Sequence, residues 1–308
     1  MRYKYYLIII LLLFCKDFVF GQRENNLWLF GPTDRGIQFD FNTNNPSVVT
    51  GKFTPFGSEG CSIITNPVTG QLLYYSDGIR AIDATNRVMP NGNGLIGNTS
   101  AAQSGWSCPV PGSCTRYYLF SNTSAYESTP SGAVYYSIVD MELTGNGNAA
   151  EPLGDVIAAS KNTLLTSTAS EAMSIIRGNV RDEYWMLIHL SNSSNILVYR
   201  ISTAGINLVN TFNTGITVRD LRCIRYSEES RRFCIIGLHG LDPLVICDFN
   251  NSNGLISNPT IIPGTPFYNS NTNYYGAYDC EWSPDGTKLY ISLYRLVTYK
   301  YWWSIVSI

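Results

Sequence analysis

The sequence predicts an all-β protein, a β-propeller built from four-stranded antiparallel blades. An apolar strand, a tight turn and a second strand with an aromatic anchor recur five times along the 308 residues. The anchors lie about 43 to 67 residues apart, the length of a four-stranded blade with its loops. Charged residues make up 14% of the chain and aromatic residues 13%, a balance that favours paired sheets over long amphipathic helices.

Each of the five units is a hairpin whose turn is rich in Gly, Pro, Asn and Ser. The turns and the strands that follow them are 66–70 with 73–75, 111–112 with 117–119, 178–179 with 184–186, 227–230 with 233–235, and 283–286 with 289–291. Apolar and polar residues alternate in four further segments, as in half-buried strands. These third strands are 80–83, 134–138, 196–200 and 244–249.

The two ends of the chain decide how the ring closes. Only 17 residues follow Ile291, too few for another blade. Segments 27–30 and 36–41 are therefore predicted to complete the blade that closes the ring. Two alternatives stay open: a ring of about five to six blades, or an incomplete ring of seven whose C-terminal edge lets copies of the chain self-associate.

Residues 1–21 have the pattern of a signal peptide. A basic start with Arg2 and Lys4 precedes the apolar stretch 6–14, and Gly21 precedes a cleavage junction at Gln22. A membrane span needs roughly 20 apolar residues, and the run is too short for one. An uncleaved anchor and a lipoprotein acylated on Cys15 are the weaker alternatives. We therefore expect a propeller domain at 22–308, secreted or at the cell surface, with no membrane span after cleavage.

The charge of the mature chain excludes some partners. Residues 22–308 hold 18 basic and 22 acidic side chains, a net charge of −4. A protein of this charge is not attracted to nucleic acid or to anionic membranes. We therefore expect neither of them as a partner.

Seven cysteines remain after cleavage, and two pairs bracket turns. Cys223 and Cys234 lie symmetrically about the turn at 228–229, and Cys108 and Cys114 flank 109–113. Facing positions of a hairpin are close enough for a disulfide in an oxidising compartment. Both pairs are disulfide candidates, and the alternative is buried free thiols.

Several stretches, in this order, resemble the N-terminal propeller of large surface proteins from gliding, type IX-secreting bacteria. They are 28–31 with 36–41, 58–61, 75–78, 88–92 with 94–98, 136–141, and 283–290. The last is also similar to the general turn of TolB-type and WD-like propellers. The resemblance implies a β-propeller domain of a secreted surface protein.

Polar residues are expected around one mouth of the central channel, where propeller ligands usually lie. They come from the starts of the inner strands (Glu59, Gln103, Glu171) and from the loops between second and third strands (Asp77, Asn122, His189, His239). This ring is the predicted ligand site. The alternative is that these groups cap strand ends and bond to the backbone.

No catalytic motif, metal-ligand spacing or cofactor-binding loop is recognisable in the sequence. The segment 248–254 alternates oxygen side chains, but its glycine falls one place late for a calcium loop. The first hypothesis is therefore a secreted, non-enzymatic binding, adhesion or scaffold module for a surface glycan or protein. The alternative is a carbohydrate-active enzyme, a glycoside hydrolase or lyase, that uses Glu59 and Glu171 as channel-mouth carboxylates.

Overall fold

The computed structural model describes residues 26–30, 33–40, 42–50, 59–125, 131–218, 221–237, 242–263, 274–295 and 302–307. These ranges form six antiparallel sheets, numbered 1 to 6 along the chain. Within them, the only helical element is a single 3-10 turn at Ala158–Ser160. In this part of the chain no helix is long and apolar enough to span a membrane.

The strands follow one another as hairpins in chain order. Sheet 1 contains β1 (Leu27–Phe30), β2 (Arg35–Phe39) and β3 (Pro46–Thr50); sheet 2 contains β4 (Ser62–Thr65), β5 (Leu72–Ser76), β6 (Arg80–Asp83) and β7 (Val88–Asn93). Sheet 3 contains β8 (Ser107–Pro109), β9 (Arg116–Asn122), β10 (Val134–Asp140), β11 (Asp155–Val156) and β12 (Thr163–Thr166). Sheet 4 contains β13 (Ala169–Arg177), β14 (Tyr184–Leu190), β15 (Ser193–Ser202) and β16 (Gly205–Val218); sheet 5 contains β17 (Leu221–Ser227), β18 (Arg232–Gly237), β19 (Leu244–Asn250) and β20 (Leu255–Ile262). Sheet 6 contains β21 (Tyr274–Trp282), β22 (Lys288–Arg295) and β23 (Trp302–Ser307).

This arrangement confirms the predicted propeller. The first strands of neighbouring sheets contact each other: β4 contacts β8, and β13 contacts β17. The first strands therefore line the centre of the ring. The apolar core lies between successive sheets, where the inner strands are buried on both faces. In β14, for example, Trp185 and Leu187 pack against sheet 5, while Met186 and Ile188 pack against sheet 3.

The N-terminal segments correct one prediction. Segments 27–30 and 36–41 do not complete another blade: β1 pairs with β2 over Leu27–Phe30, and β2 pairs with β3. Between β1 and β2, the Thr33 N–H donates to Phe30 O at 3.1 Å. This tight connection makes β2 the nearest strand with which β1 can pair. In the described ranges, β23 pairs with β22, and no strand of sheet 1 pairs with sheet 6.

One face of sheet 1 carries two half-exposed aromatic side chains. Leu27 and Leu29 pack against sheet 2, while Trp28 and Phe30 on the opposite face are 50% and 44% exposed. Because exposed aromatic faces favour association, we expect the mature chain to self-associate in light scattering, and Trp28→Ser to reduce this more than Leu255→Ser, a change at an exposed leucine of sheet 5. A monodisperse monomer at all concentrations would contradict the prediction.

Candidate functional site

The ring has two ends, which the loops of each sheet define. With the strands of a sheet lettered A to D from the centre outwards, the A–B end carries the turns between first and second strands. The B–C end carries the loops between second and third strands. The described members of the predicted polar ring lie at the B–C end, since they stand at or before the starts of A strands or at or after the ends of B strands.

Gln103 of that ring joins three sheets. Its Oε1 accepts hydrogen bonds from the backbone N–H groups of Met173 at 3.0 Å and Ile224 at 2.8 Å, and its Nε2 donates to Ile224 O at 3.2 Å. The side chain is 2% exposed and lies just before sheet 3, whereas its partners belong to the A strands of sheets 4 and 5. The amide therefore holds the centre of the ring together.

Glu171 is likewise engaged. Its carboxylate accepts from Ser124 Oγ at 2.6 Å and from the backbone N–H of Ala102 at 3.0 Å, both on sheet 3 loops. Next to it, Asn122 Nδ2 donates to Ser170 O at 2.8 Å. These buried bonds tie sheet 4 to sheet 3.

The structure also describes Asp77 and Glu59 of the predicted ring. Asp77 is fully buried and accepts from the backbone N–H of Ile79 and Arg80 and from the Arg80 guanidinium, at 2.9 Å from Nε. Glu59 is half-buried and bonds through its backbone N–H to Thr99 O at 3.1 Å. His239 lies outside the described residues.

His189 differs from the others because its ring is buried without a hydrogen-bond partner. It ends the B strand of sheet 4, is 1% exposed, and neither Nδ1 nor Nε2 makes a hydrogen bond. Burial lowers its pKa to about 3, and the Ser193 backbone acts on the pKa in the opposite direction. The imidazole is therefore neutral at pH 7.

A cavity of about 520 Å³ opens at the other end of the ring, the A–B end. Residues of sheets 2, 3 and 4 and one turn of sheet 5 form its wall. Its polar and aromatic lining includes Trp106, Ser107, Tyr117, Arg177, Tyr184 and Glu228. We call this space the A–B cavity.

Two opposite charges face the A–B cavity. Arg177 ends the A strand of sheet 4, and Glu228 lies in the turn after the A strand of sheet 5. Partial burial raises the pKa of the Glu228 carboxyl, while the Arg177 charge acts in the opposite direction. The cavity thus contains a carboxyl group that is more basic than usual beside a fixed cation.

The hydroxyl groups of the cavity are protonated. Burial raises the pKa of Tyr184 to about 12, with a further contribution from Cys108, and burial also raises the pKa of Tyr117. Ser107 Oγ donates to Tyr118 O at 2.8 Å, so the Tyr74 hydroxyl must be the donor in its 2.6 Å contact with Ser107 Oγ. Protonated phenols, a serine oxygen and an indole surface suit a small polyhydroxylated ligand.

The sequence did not point to this cavity, although a signal existed. Tyr117 and Tyr184 were recognised only as the aromatic anchors of B strands. Arg177 and Glu228 lie directly at A–B turns, and charges beside the aromatic anchors of several units indicate a shared lining.

Within the described ranges, no group of three or more His, Cys, Asp or Glu side chains is placed to hold a metal ion.

The cysteine pairs are arranged differently from the prediction. All seven described cysteines are free thiols. Cys223 faces Ile236 and Cys234 faces Arg225. The reason is that the turn pairs Ser227 with Arg232, so the hairpin is centred between residues 229 and 230, one residue later than predicted. The Cys223 sulfur instead lies 3.9 Å from that of Cys280 in sheet 6. Of the second pair, Cys108 is buried and Cys114 exposed.

No family model matches this chain, and no curated protein matches its sequence. Solved structures do match it in fold. A "putative 6-phosphogluconolactonase" from Bacteroides fragilis NCTC 9343 is 9% identical, with a TM-score of 0.51 over 92% of this chain and 80% of that one. A second protein so named, from Bacteroides uniformis ATCC 8492, is 10% identical, with a TM-score of 0.49 over 92% and 81%. The periplasmic gluconolactonase of Pseudomonas aeruginosa is 10% identical, with a TM-score of 0.45 over 84% and 71%.

These neighbours correct the first functional hypothesis. The prediction of a non-enzymatic binding or adhesion module is contradicted, because the neighbour with the TM-score of 0.51 bears the name of a lactonase. At 9% identity the similarity bears on the fold alone, and that fold is a β-propeller.

Proposed function

We propose that this protein is a carbohydrate-active propeller enzyme that hydrolyses a small sugar-derived lactone in the A–B cavity. The observation that carries the proposal is that Glu228 and Arg177 both line one cavity, together with aromatic and hydroxyl groups. Its volume falls within the roughly 300–1,000 Å³ of small-molecule sites. The lactonase names of the fold neighbours supply the reaction class.

Lactone hydrolysis needs a base, an oxyanion stabiliser and a proton donor for the leaving oxygen. Water adds to the carbonyl carbon, the ring C–O bond breaks, and a hydroxy acid results. Glu228 would take the proton from water, since burial has made its carboxylate more basic. Arg177 would stabilise the negative charge on the carbonyl oxygen, and the protonated Tyr184 would hydrogen-bond the departing ring oxygen.

The rest of the lining would bind the substrate. Trp106 offers a flat indole surface to the apolar face of a sugar ring. Ser107 and Tyr117 offer an acceptor and a donor to its hydroxyl groups.

We expect Glu228→Gln and Arg177→Ala each to lower kcat/KM for glucono-δ-lactone by about 100-fold or more, the usual contribution of a positioned acid–base or oxyanion group. Proton release in a pH-stat measures turnover, with the phosphorylated lactone as a second substrate. Arg181→Ala is the matched control, because this exposed side chain does not line the cavity. Equal activity of Glu228→Gln and the parent protein would contradict the proposed site.

A reducing-sugar assay on glycan substrates separates this proposal from a glycoside hydrolase or lyase that uses Glu59 and Glu171. Sugar release that Glu59→Gln abolishes and Glu228→Gln preserves would move the active site to the B–C end. Glu171→Gln is a less clean variant, because the Glu171 carboxylate already bonds to sheet 3.

We also propose export through residues 1–21, with 22–308 as the mature propeller. The basic start and short apolar core support this. The finer resemblance, to surface proteins of type IX-secreting bacteria, stays a prediction. A secreted lactonase would act on lactones outside the cytoplasm.

A further inference from the structure

Two buried thiols meet between sheets 5 and 6. Cys223 lies on β17 and Cys280 on β21, the A strands of the two sheets, and their sulfur atoms are 3.9 Å apart. Each side chain is 2% exposed. The two residues are 57 positions apart in the sequence, so only the packing of one blade on the next brings them together.

Hydrogen bonds around the thiols fix the spacing of the two strands. Arg225 Nε donates to Cys280 O at 3.3 Å, and Arg225 Nη2 contacts Asp279 Oδ2 at 3.0 Å. From the other side, Trp282 Nε1 donates to Arg225 O at 3.0 Å. Burial works against the Arg225 charge, but the Asp279 carboxylate more than compensates and raises the arginine pKa. The cation is thus retained, and with it the alignment of the strands.

We propose that Cys223 and Cys280 form a disulfide bond that joins sheet 5 to sheet 6. A disulfide has sulfur atoms about 2.05 Å apart, so the two sulfurs must approach by nearly 2 Å from their 3.9 Å separation. The bond would fasten the A strands of two blades that otherwise touch through side chains.

The oxidant is a small disulfide such as glutathione disulfide. A thiolate of one cysteine attacks a glutathione sulfur, forms a mixed disulfide and releases one glutathione. The thiolate of the other cysteine then attacks the protein sulfur and releases the second glutathione. The two thiol protons end on the two glutathione molecules. Each protein disulfide that forms is therefore balanced by the reduction of one glutathione disulfide.

The order of events follows from burial. In the folded state the contact with Cys280, together with burial, raises the pKa of the Cys223 thiol, and burial raises the pKa of the Cys280 thiol. Thiolates are therefore scarce once sheet 6 is docked, and exchange is fastest while the two sheets are still open. Cys234 belongs to the same apolar cluster and is the competing partner for Cys280. The 3.9 Å contact favours Cys223.

Peptide mapping tests the pairing directly. The full mature chain is refolded with reduced and oxidised glutathione, alkylated, and digested without reductant by trypsin and an aspartate-directed protease. Cleavage before Asp242, Asp248, Asp279 and Asp285 and after basic residues separates these cysteines into peptides 223–225, 233–241, 242–247 and 279–284. We expect 223–225 linked to 279–284, and the link lost on reduction. Full alkylation of both peptides, or a link from either one to 233–241, would overturn the proposal.

A stability measurement covers the case in which one variant folds poorly. We expect oxidation of the parent chain to remove two titratable thiols and to raise its guanidinium midpoint. Cys223→Ala and Cys280→Ala should each lose that shift, whereas Cys247→Ala, on the opposite face of sheet 5, should keep it. An unchanged midpoint in the parent chain after oxidation, with all thiols still titratable, would refute the bond without any variant.

Discussion

Replacement of Gln103 by leucine is expected to lower the free energy of unfolding by about 4 kcal/mol, because each backbone group left unpaired in the interior costs roughly 1–3 kcal/mol. Leucine approximately fills the space but cannot bond to Met173 N–H, Ile224 N–H or Ile224 O. All three groups would then lie at the centre of the ring without partners.

Guanidinium unfolding followed by tryptophan fluorescence measures the loss. Gln71→Leu is the matched control, since Gln71 is exposed in a turn and the bonds it forms there use backbone atoms. A loss below about 1 kcal/mol for Gln103→Leu would mean that water or a backbone shift replaces the three bonds.

Acidification from pH 7 to pH 5 is expected to cost about 2 kcal/mol of stability through His189 alone. Its pKa is about 3 in the folded protein and 6.5 when unperturbed. Below pH 6.5 the unfolded chain therefore takes up a proton that the folded chain does not. The stability that comes from keeping His189 neutral is therefore fully present above pH 6.5 and is lost as the pH falls towards 3. Glu228, whose pKa is raised, contributes with the opposite sign.

The variant His189→Leu should flatten the stability profile between pH 5 and 7, because leucine cannot take up a proton in either state. It also removes the two ring nitrogens that lack partners. His239→Gln is the control, since the chain contains two histidines and this change leaves His189 in place. Equal pH dependence of His189→Leu and the parent protein would show that His189 is solvated in the native state.

The fold was predictable because each blade is local. Turn residues and two-residue alternation located β6 at its observed bounds and placed the third strands of sheets 3, 4 and 5 within β10, β15 and β19. Sheet 1 was not predicted, because its third strand, β3, lies among Asn, Thr and Pro and carries only two valines. Such a segment has the composition of a loop.

The site was harder to predict because its residues acquire meaning only from distant partners. Gln103 and Glu171 were expected at the B–C end, but their side chains bond to residues 47 to 121 positions away in the sequence. Nothing in the local sequence distinguishes an amide that bonds to a neighbouring blade from one that binds a ligand. The A–B cavity combines Tyr117, Arg177 and Glu228 from three sheets, and no single motif contains them.

The reach of Gln103 also bears on how the molecule opens. Propeller blades are hairpin units that could open one at a time, and backbone amides would then exchange hydrogen with solvent blade by blade. Here the amides of Met173 and Ile224 share one acceptor, supplied by a third sheet. Neither amide is released unless the contact with Gln103 is broken, so sheets 4 and 5 are coupled to the segment before sheet 3. Hydrogen exchange at these two positions therefore reports the opening of three blades as one cooperative unit.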